Sequence, residues 1–172
     1  MDSKLFFDKL DNAQKVLVGI DKGFLKNCND ESILVNYNKL AKLLSGKDYF
    51  IVNLSKDTVI KSSDLDLDKV AMPLDETISI EDNEKRWNEY TQWLQMTLNK
   101  DMLLIELGVG FELPTLVRWP FEKIALYNNK AYLYRVNEIF PQLPDDIAQK
   151  GEAVKSSVDD FLSTIYAERF GN

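Results

Sequence analysis

Gly108-Val109-Gly110 closes a nearly unbroken apolar run, Met102 to Leu107. Two positions without side chains at the end of a buried strand let backbone N–H groups approach a phosphate or a ribose closely. The same glycines equally serve a positive φ or a close strand-to-helix contact. Asn137 ends a second β-prone run, Ala131 to Val136, where its side-chain amide can bond a ribose or cap the loop that follows. Asp57 follows a third apolar run, Tyr49 to Leu54. A carboxylate there can hold a ribose, order a water, or simply start a short helix. The turn Val18 to Gly23 lacks the G-x-G-x-x-G spacing that cradles a pyrophosphate. Asp21 in that turn would set a carboxylate beside any bound phosphate, which Lys22 could offset, or the segment is an ordinary turn.

Several chemistries are excluded by composition. The 172 residues contain no His, which removes the commonest general base near neutral pH and the commonest metal ligand. Ser-His-Asp and Cys-His arrangements go with it. The single Cys28 forms no internal disulfide and cannot build a four-cysteine zinc site. A net charge of -7, from 21 Lys plus Arg against 28 Asp plus Glu, argues against a nonspecific grip on nucleic acid. No run approaches the ~18 apolar residues of a membrane span, and the start MDSKLFFDKLDNAQK lacks the regions of a signal peptide. The expectation is a cytoplasmic protein that binds neither nucleic acid nor membrane.

These residues need elements to position them, and the hydrophobic periodicity supplies a set. Strands are expected at Lys15 to Ile20, Tyr49 to Leu54, Lys69 to Met72, Met102 to Leu107 and Ala131 to Val136. Helices are expected at Leu5 to Gln14, Glu31 to Leu44, from Asn83 through Leu98, from Pro114 through Ile124, and at Ser157 to Phe170, with Phe140 to Pro144 as a loop. The stripe Trp87, Tyr90, Trp93, Leu94 and Leu98 reads as core, because a base-stacking platform would come interleaved with basic charge. The acidic stretch Asp75 to Glu84 reads as a solvated connection. With 45% hydrophobic residues the chain can bury one core, so residues 1–172 form a single domain. The fold class is α/β, a three-layer Rossmann-like arrangement with a mostly parallel sheet of about five or six strands, helices on both faces and Val16 to Val18 in the middle.

The stretch LLIELGVGFELPTLVRWPFEKIALYNNKAYLYRVNE resembles the C-terminal half of bacterial sirtuin-like proteins, the macrodomain-associated branch especially. YFIVNLSKDTVIKSSDLDLDKVAMPL resembles the second strand and the threonine-asparagine-x-aspartate loop of that family, and KVLVGIDKGFL stands in place of its first glycine turn. The resemblance implies a DHS-like NAD-binding domain whose relatives transfer acyl or ADP-ribosyl groups through the nicotinamide ribose. It implies that Gly19 matches the first glycine of the phosphate turn, with Asp21 where a small residue is expected. Gly108, Val109 and Gly110 match the later nucleotide loop, Asn137 and Glu138 the ribose contact, and Asp57 the aspartate of the second loop.

Ser55 stands where that family has Asn, there is no His to act as base, and the zinc-binding cysteines are missing between Pro73 and Trp87. The expected function is therefore that of a degenerate, non-catalytic protein that holds NAD or ADP-ribose weakly and carries no zinc. Two alternatives stand beside it. One is a ligand-free module that contacts a protein partner or a second copy; the other is an NAD-consuming enzyme in which Asp57 or Glu106 orders water.

Overall fold

The computed structural model describes residues 1–171. Among these residues six strands form one sheet in the order β3-β2-β1-β4-β5-β6, every neighbouring pair parallel. They are β1 (Lys15–Ile20), β2 (Tyr49–Asn53), β3 (Val70–Ala71), β4 (Met102–Leu107), β5 (Ala131–Val136) and β6 (Gly151–Val154). Parallel strands need crossovers, and crossover helices cover both faces. The helices are α1 (Ser3–Asn12), α2 (Asp30–Leu43), α3 (Ile80–Gln95), α4 (Arg118–Tyr127) and α5 (Val158–Phe170). Among the described residues no helix is long and apolar enough to cross a membrane.

Strand alternation divides the core in two. Val16, Val18 and Ile20 of β1 with Leu103, Ile105 and Leu107 of β4 pack under α1, α2 and α5. Leu17, Met102 and Leu104 face the other way and meet Tyr90 and Trp93 of α3 and Phe121 and Ala125 of α4. All six residues of β4 are buried, which explains its unbroken apolar run. The helix starts are capped as their sequences suggest: Asn29 accepts from the Ser32 N–H, Ser79 from Asp82 and Ser157 from Asp160. Each cap satisfies an amide that has no partner inside its helix.

The aromatic stripe of α3 is core. Tyr90 and Trp93 lie 5.3 and 5.9 Å from the Phe50 ring, and the Trp93 indole donates to Asp48 at 2.6 Å. The stripe stops before Leu98, which is 67% exposed beyond the end of the helix.

The main differences from the expected elements are local. The sixth strand falls in a stretch without apolar alternation, because β6 is an edge strand of which only Val154 is buried. The third strand shrinks to Val70–Ala71. Helix α3 begins at Ile80 rather than Asn83, with Ser79 as its cap. Helix α4 begins at Arg118 rather than Pro114, the Pro114 carbonyl instead closing a turn by accepting the Trp119 N–H at 2.9 Å. Pro120 then occupies the first helical turn, where a missing N–H costs nothing.

Candidate functional site

The chain leaves β1 toward α2 on one face of the sheet and leaves β4 toward α4 on the other. Adjacent parallel strands whose connections diverge in this way open a crevice at their carboxyl ends, the usual place for a ligand in such sheets. The glycines around it do different jobs. A Cβ on Gly19 would come within 2.3 Å of Val117 and 3.2 Å of Phe121, so Gly19 permits α4 to lie on β1. It does not line the crevice, contrary to a role in a phosphate turn.

Gly108 has φ +68°, and a Cβ there would stand 2.4 Å from the carbonyl carbon of Gly23. Gly23 faces it reciprocally, donating its N–H to the Gly108 carbonyl at 3.1 Å. These two backbones touch and close the floor between β1 and β4. Of the crevice glycines Gly110 alone is open: a Cβ added there would meet nothing nearer than the Asp21 carboxylate, at 3.9 Å.

Beside that floor lies a cleft of about 170 Å³, lined among others by Asp21, Gly110, Glu112, Asn137, Glu138 and Phe140. Asp21 is only 8% exposed. One of its carboxylate oxygens accepts the Lys22 N–H at 2.8 Å and the other accepts the Gly110 N–H at 3.3 Å. The glycine amide that would meet a phosphate therefore donates to the protein's own carboxylate. Lys22 Nζ meets Glu112 at 2.6 Å, a bond that holds the ammonium above its ordinary pKa. Lys26 is paired with Glu138. Both cleft lysines thus face carboxylates from the opposite loops.

Asn137 caps. Its Nδ2 donates to the Val109 carbonyl at 2.9 Å, and its Oδ1 accepts the Ile139 and Phe140 N–H groups at 2.9 and 3.0 Å. Buried Arg118 repeats the tie, donating to Val109 at 3.1 Å and to the Phe140 carbonyl at 2.9 Å. Its guanidinium also lies 4.0 Å from the Phe111 ring centroid. The loops after β4 and β5 consequently form one cross-bonded rim. Its junction is the Val109 carbonyl, while the Val109 side chain is buried in the core rather than set in the cleft.

Beneath the rim, Gly19, Glu106 and Arg135 sit in register across β1, β4 and β5. Arg135 donates to both Glu106 oxygens at 2.6 and 3.0 Å, to Glu122 of α4 at 2.8 Å and to the Gln142 carbonyl at 2.8 Å. Burial pulls the Glu106 carboxyl above its ordinary range against the opposing pull of Arg135. For Arg135 burial pulls downward, but the bonds to Glu106 and Glu122 outweigh it and raise the guanidinium. Glu106 is 0% exposed. Its carboxylate ties β4 to β5 through Arg135 and does not line the cleft, which removes the role of ordering water there.

The end of β2 is a separate place. Asp57 accepts from Tyr37 at 2.6 Å and Ser55 at 2.5 Å through one oxygen, and from the Ile60 N–H at 3.3 Å through the other. Burial first, then the bond to Asp57, push the Tyr37 phenol far above its usual pKa. Ser55 also reaches Asn53 Oδ1 at 2.6 Å, so its one proton serves two acceptors in turn. Neither Ser55 nor Asp57 lines the cleft, and Asp57 has the bonds of a helix-start residue. Among the described residues no group of three or more His, Cys, Asp or Glu is arranged to hold a metal ion.

Of the residues expected at a site, Asp21, Gly108, Gly110, Asn137 and Glu138 come together, while Gly19, Ser55, Asp57 and Val109 do not. Lys26, Glu112, Phe140 and Ser156 join the lining without a signal in the sequence. Ser156 follows edge strand β6, which hydrophobic periodicity does not show, and the pairing of Lys26 with Glu138 bridges distant segments. The residues present fit a dinucleotide pyrophosphate poorly, because the one open glycine amide is already bonded to Asp21.

No protein-family model matches the chain, and no curated protein matches it. Solved structures do match in shape. Sir2Tm bound to a propionylated peptide is 14% identical with a TM-score of 0.62, over 100% of both chains. Sir2 bound to an acetylated peptide is 15% identical with a TM-score of 0.61, again over 100% of both. A sirtuin structure addressing the basis of substrate affinity is 16% identical with a TM-score of 0.58, over 100% of both. The fold is sirtuin-like.

Proposed function

We propose that this chain is a non-catalytic accessory protein, in the cytoplasm, that holds NAD or ADP-ribose weakly in the cleft after β4 and β5. The observation that carries the reading is the Asp21 carboxylate on the Gly110 amide, which leaves the cleft's walls standing while occupying its phosphate donor. The lack of any His supports the non-catalytic half, since a general base typically contributes ~10²–10⁴ in rate. Glu106 and Asp57, the two carboxylates that could have replaced it, are both held in internal bonds.

Calorimetry with NAD and ADP-ribose tests binding, and incubation of NAD with an acetylated peptide tests catalysis. The expected dissociation constant is on the order of 0.1–10 mM, equivalent to about 3–5 kcal/mol, with no acetyl group released. Micromolar NAD binding, or deacylation, would overturn the reading.

A second reading, a docking module, draws on the Phe111 and Phe140 rings. They pack edge to face at 5.3 Å yet stay 54% and 45% exposed. Concentration-dependent elution on size exclusion, abolished by Phe140→Ser, would favour it.

A further inference from the structure

We infer that the cleft accepts an uncharged nucleoside and discriminates against the same nucleoside once it is phosphorylated. This rests on the reading of the cleft as a nucleotide-class site and specifies what that site selects. Size comes first. At about 170 Å³ the cleft is smaller than the ~300–1,000 Å³ of common small-molecule sites, so it encloses about one nucleoside, and the remainder of a dinucleotide lies outside it.

The walls suit such a ligand. The Phe140 ring offers an apolar surface to a planar base, and Glu138 and Glu112, each paired with a lysine through one oxygen, keep the other oxygen as an acceptor for hydroxyl groups. A phosphate finds the opposite of what it needs. Three carboxylates, Asp21, Glu112 and Glu138, face the cleft against two lysines, and each of those lysines is already paired with a carboxylate. Asp21 is the decisive one, because it is nearly buried and it takes the only open glycine amide of the cleft. A phosphate placed there loses a donor and meets a fixed negative charge. The lower local dielectric of a partly desolvated site strengthens that repulsion.

The test is calorimetry, backed by ligand-observed NMR, with adenosine and adenosine 5′-monophosphate on the native chain and on two variants. The native protein binds adenosine more tightly than the monophosphate, by on the order of tenfold, and the ratio shrinks in high salt. Asp21→Asn keeps an acceptor for one amide and removes the charge, bringing the ratio to unity or below. Glu112→Gln, at an exposed position where folding is not at stake, moves the ratio the same way by less.

Equal or tighter binding of the monophosphate to the native chain would overturn the inference and leave the binding reading intact. So would a ratio that neither salt nor either variant changes. If neither compound binds at concentrations on the order of 10 mM, the reading of the cleft falls and the inference with it.

Discussion

The carboxyl ends of β2 and β4 both carry residues expected at a ligand site, but one end closes on itself and the other stays open. At β2, Asn53, Ser55, Asp57 and Tyr37 satisfy one another, so their polarity serves the fold. At β4, the backbone turns through Gly108 and reaches Gly110, which has space in front of it. The difference comes from what stands opposite. Tyr37 of α2 reaches over β2, whereas α2 and α4 leave the sheet on opposite faces at the β1–β4 boundary, so that neither of them covers the crevice.

The largest effect should come from the floor under the open end. Arg135→Met leaves Glu106 buried without its partner and should cost about 3–5 kcal/mol in urea unfolding. A loss below about 1 kcal/mol would mean that the ion pair does not anchor the rim.

Next come the two glycines of the same loop. Gly108→Ala combines a positive φ with contact against the Gly23 backbone and should cost about 1–3 kcal/mol. Gly110→Ala should stay within about 0.5 kcal/mol. Equal costs would erase the distinction between a packing glycine and an open one. At the closed end, Asp57→Ala removes the acceptor of Tyr37 and Ser55 and should cost about 1–2 kcal/mol. Ligand affinity should not change.

The smallest effect is on acid stability. Burial raises the Asp48 carboxyl, but the bonds from Lys15 and Trp93 outweigh it and leave its pKa below the ordinary carboxylate value. A group depressed on folding contributes stability above its unfolded pKa and loses it as the pH falls through the folded one. Unfolding midpoints should therefore drop as the pH falls below about 4, less steeply in Asp48→Asn.

The two strands of the open end are legible in the sequence because both are buried on both faces and so read as apolar runs. Strand β6 is not, since Val154 alone of its four residues is buried at the edge of the sheet. Nor does the sequence separate Gly108 from Gly110. Their spacing is symmetric, and only Gly23, distant in sequence, decides which of them is confined. Asn137 carries two readings as a sequence, and the Val109 carbonyl decides between them by supplying its partner. The turn places Asp21 near a phosphate site, but its bond to an amide 89 positions away is a consequence of the two strands lying side by side. Local pattern thus locates the crevice, and contacts between distant loops determine its chemistry.

The difference between the two strand ends can be read directly from amide chemical shifts. On titration with ADP-ribose to about 10 mM, the amides of residues 108–112, 137–140 and 156–158 should move and those of residues 53–60 should stay in place. Shifts concentrated at residues 53–60, or no shifts in either region, would contradict the assignment of the ligand site to the end of β4.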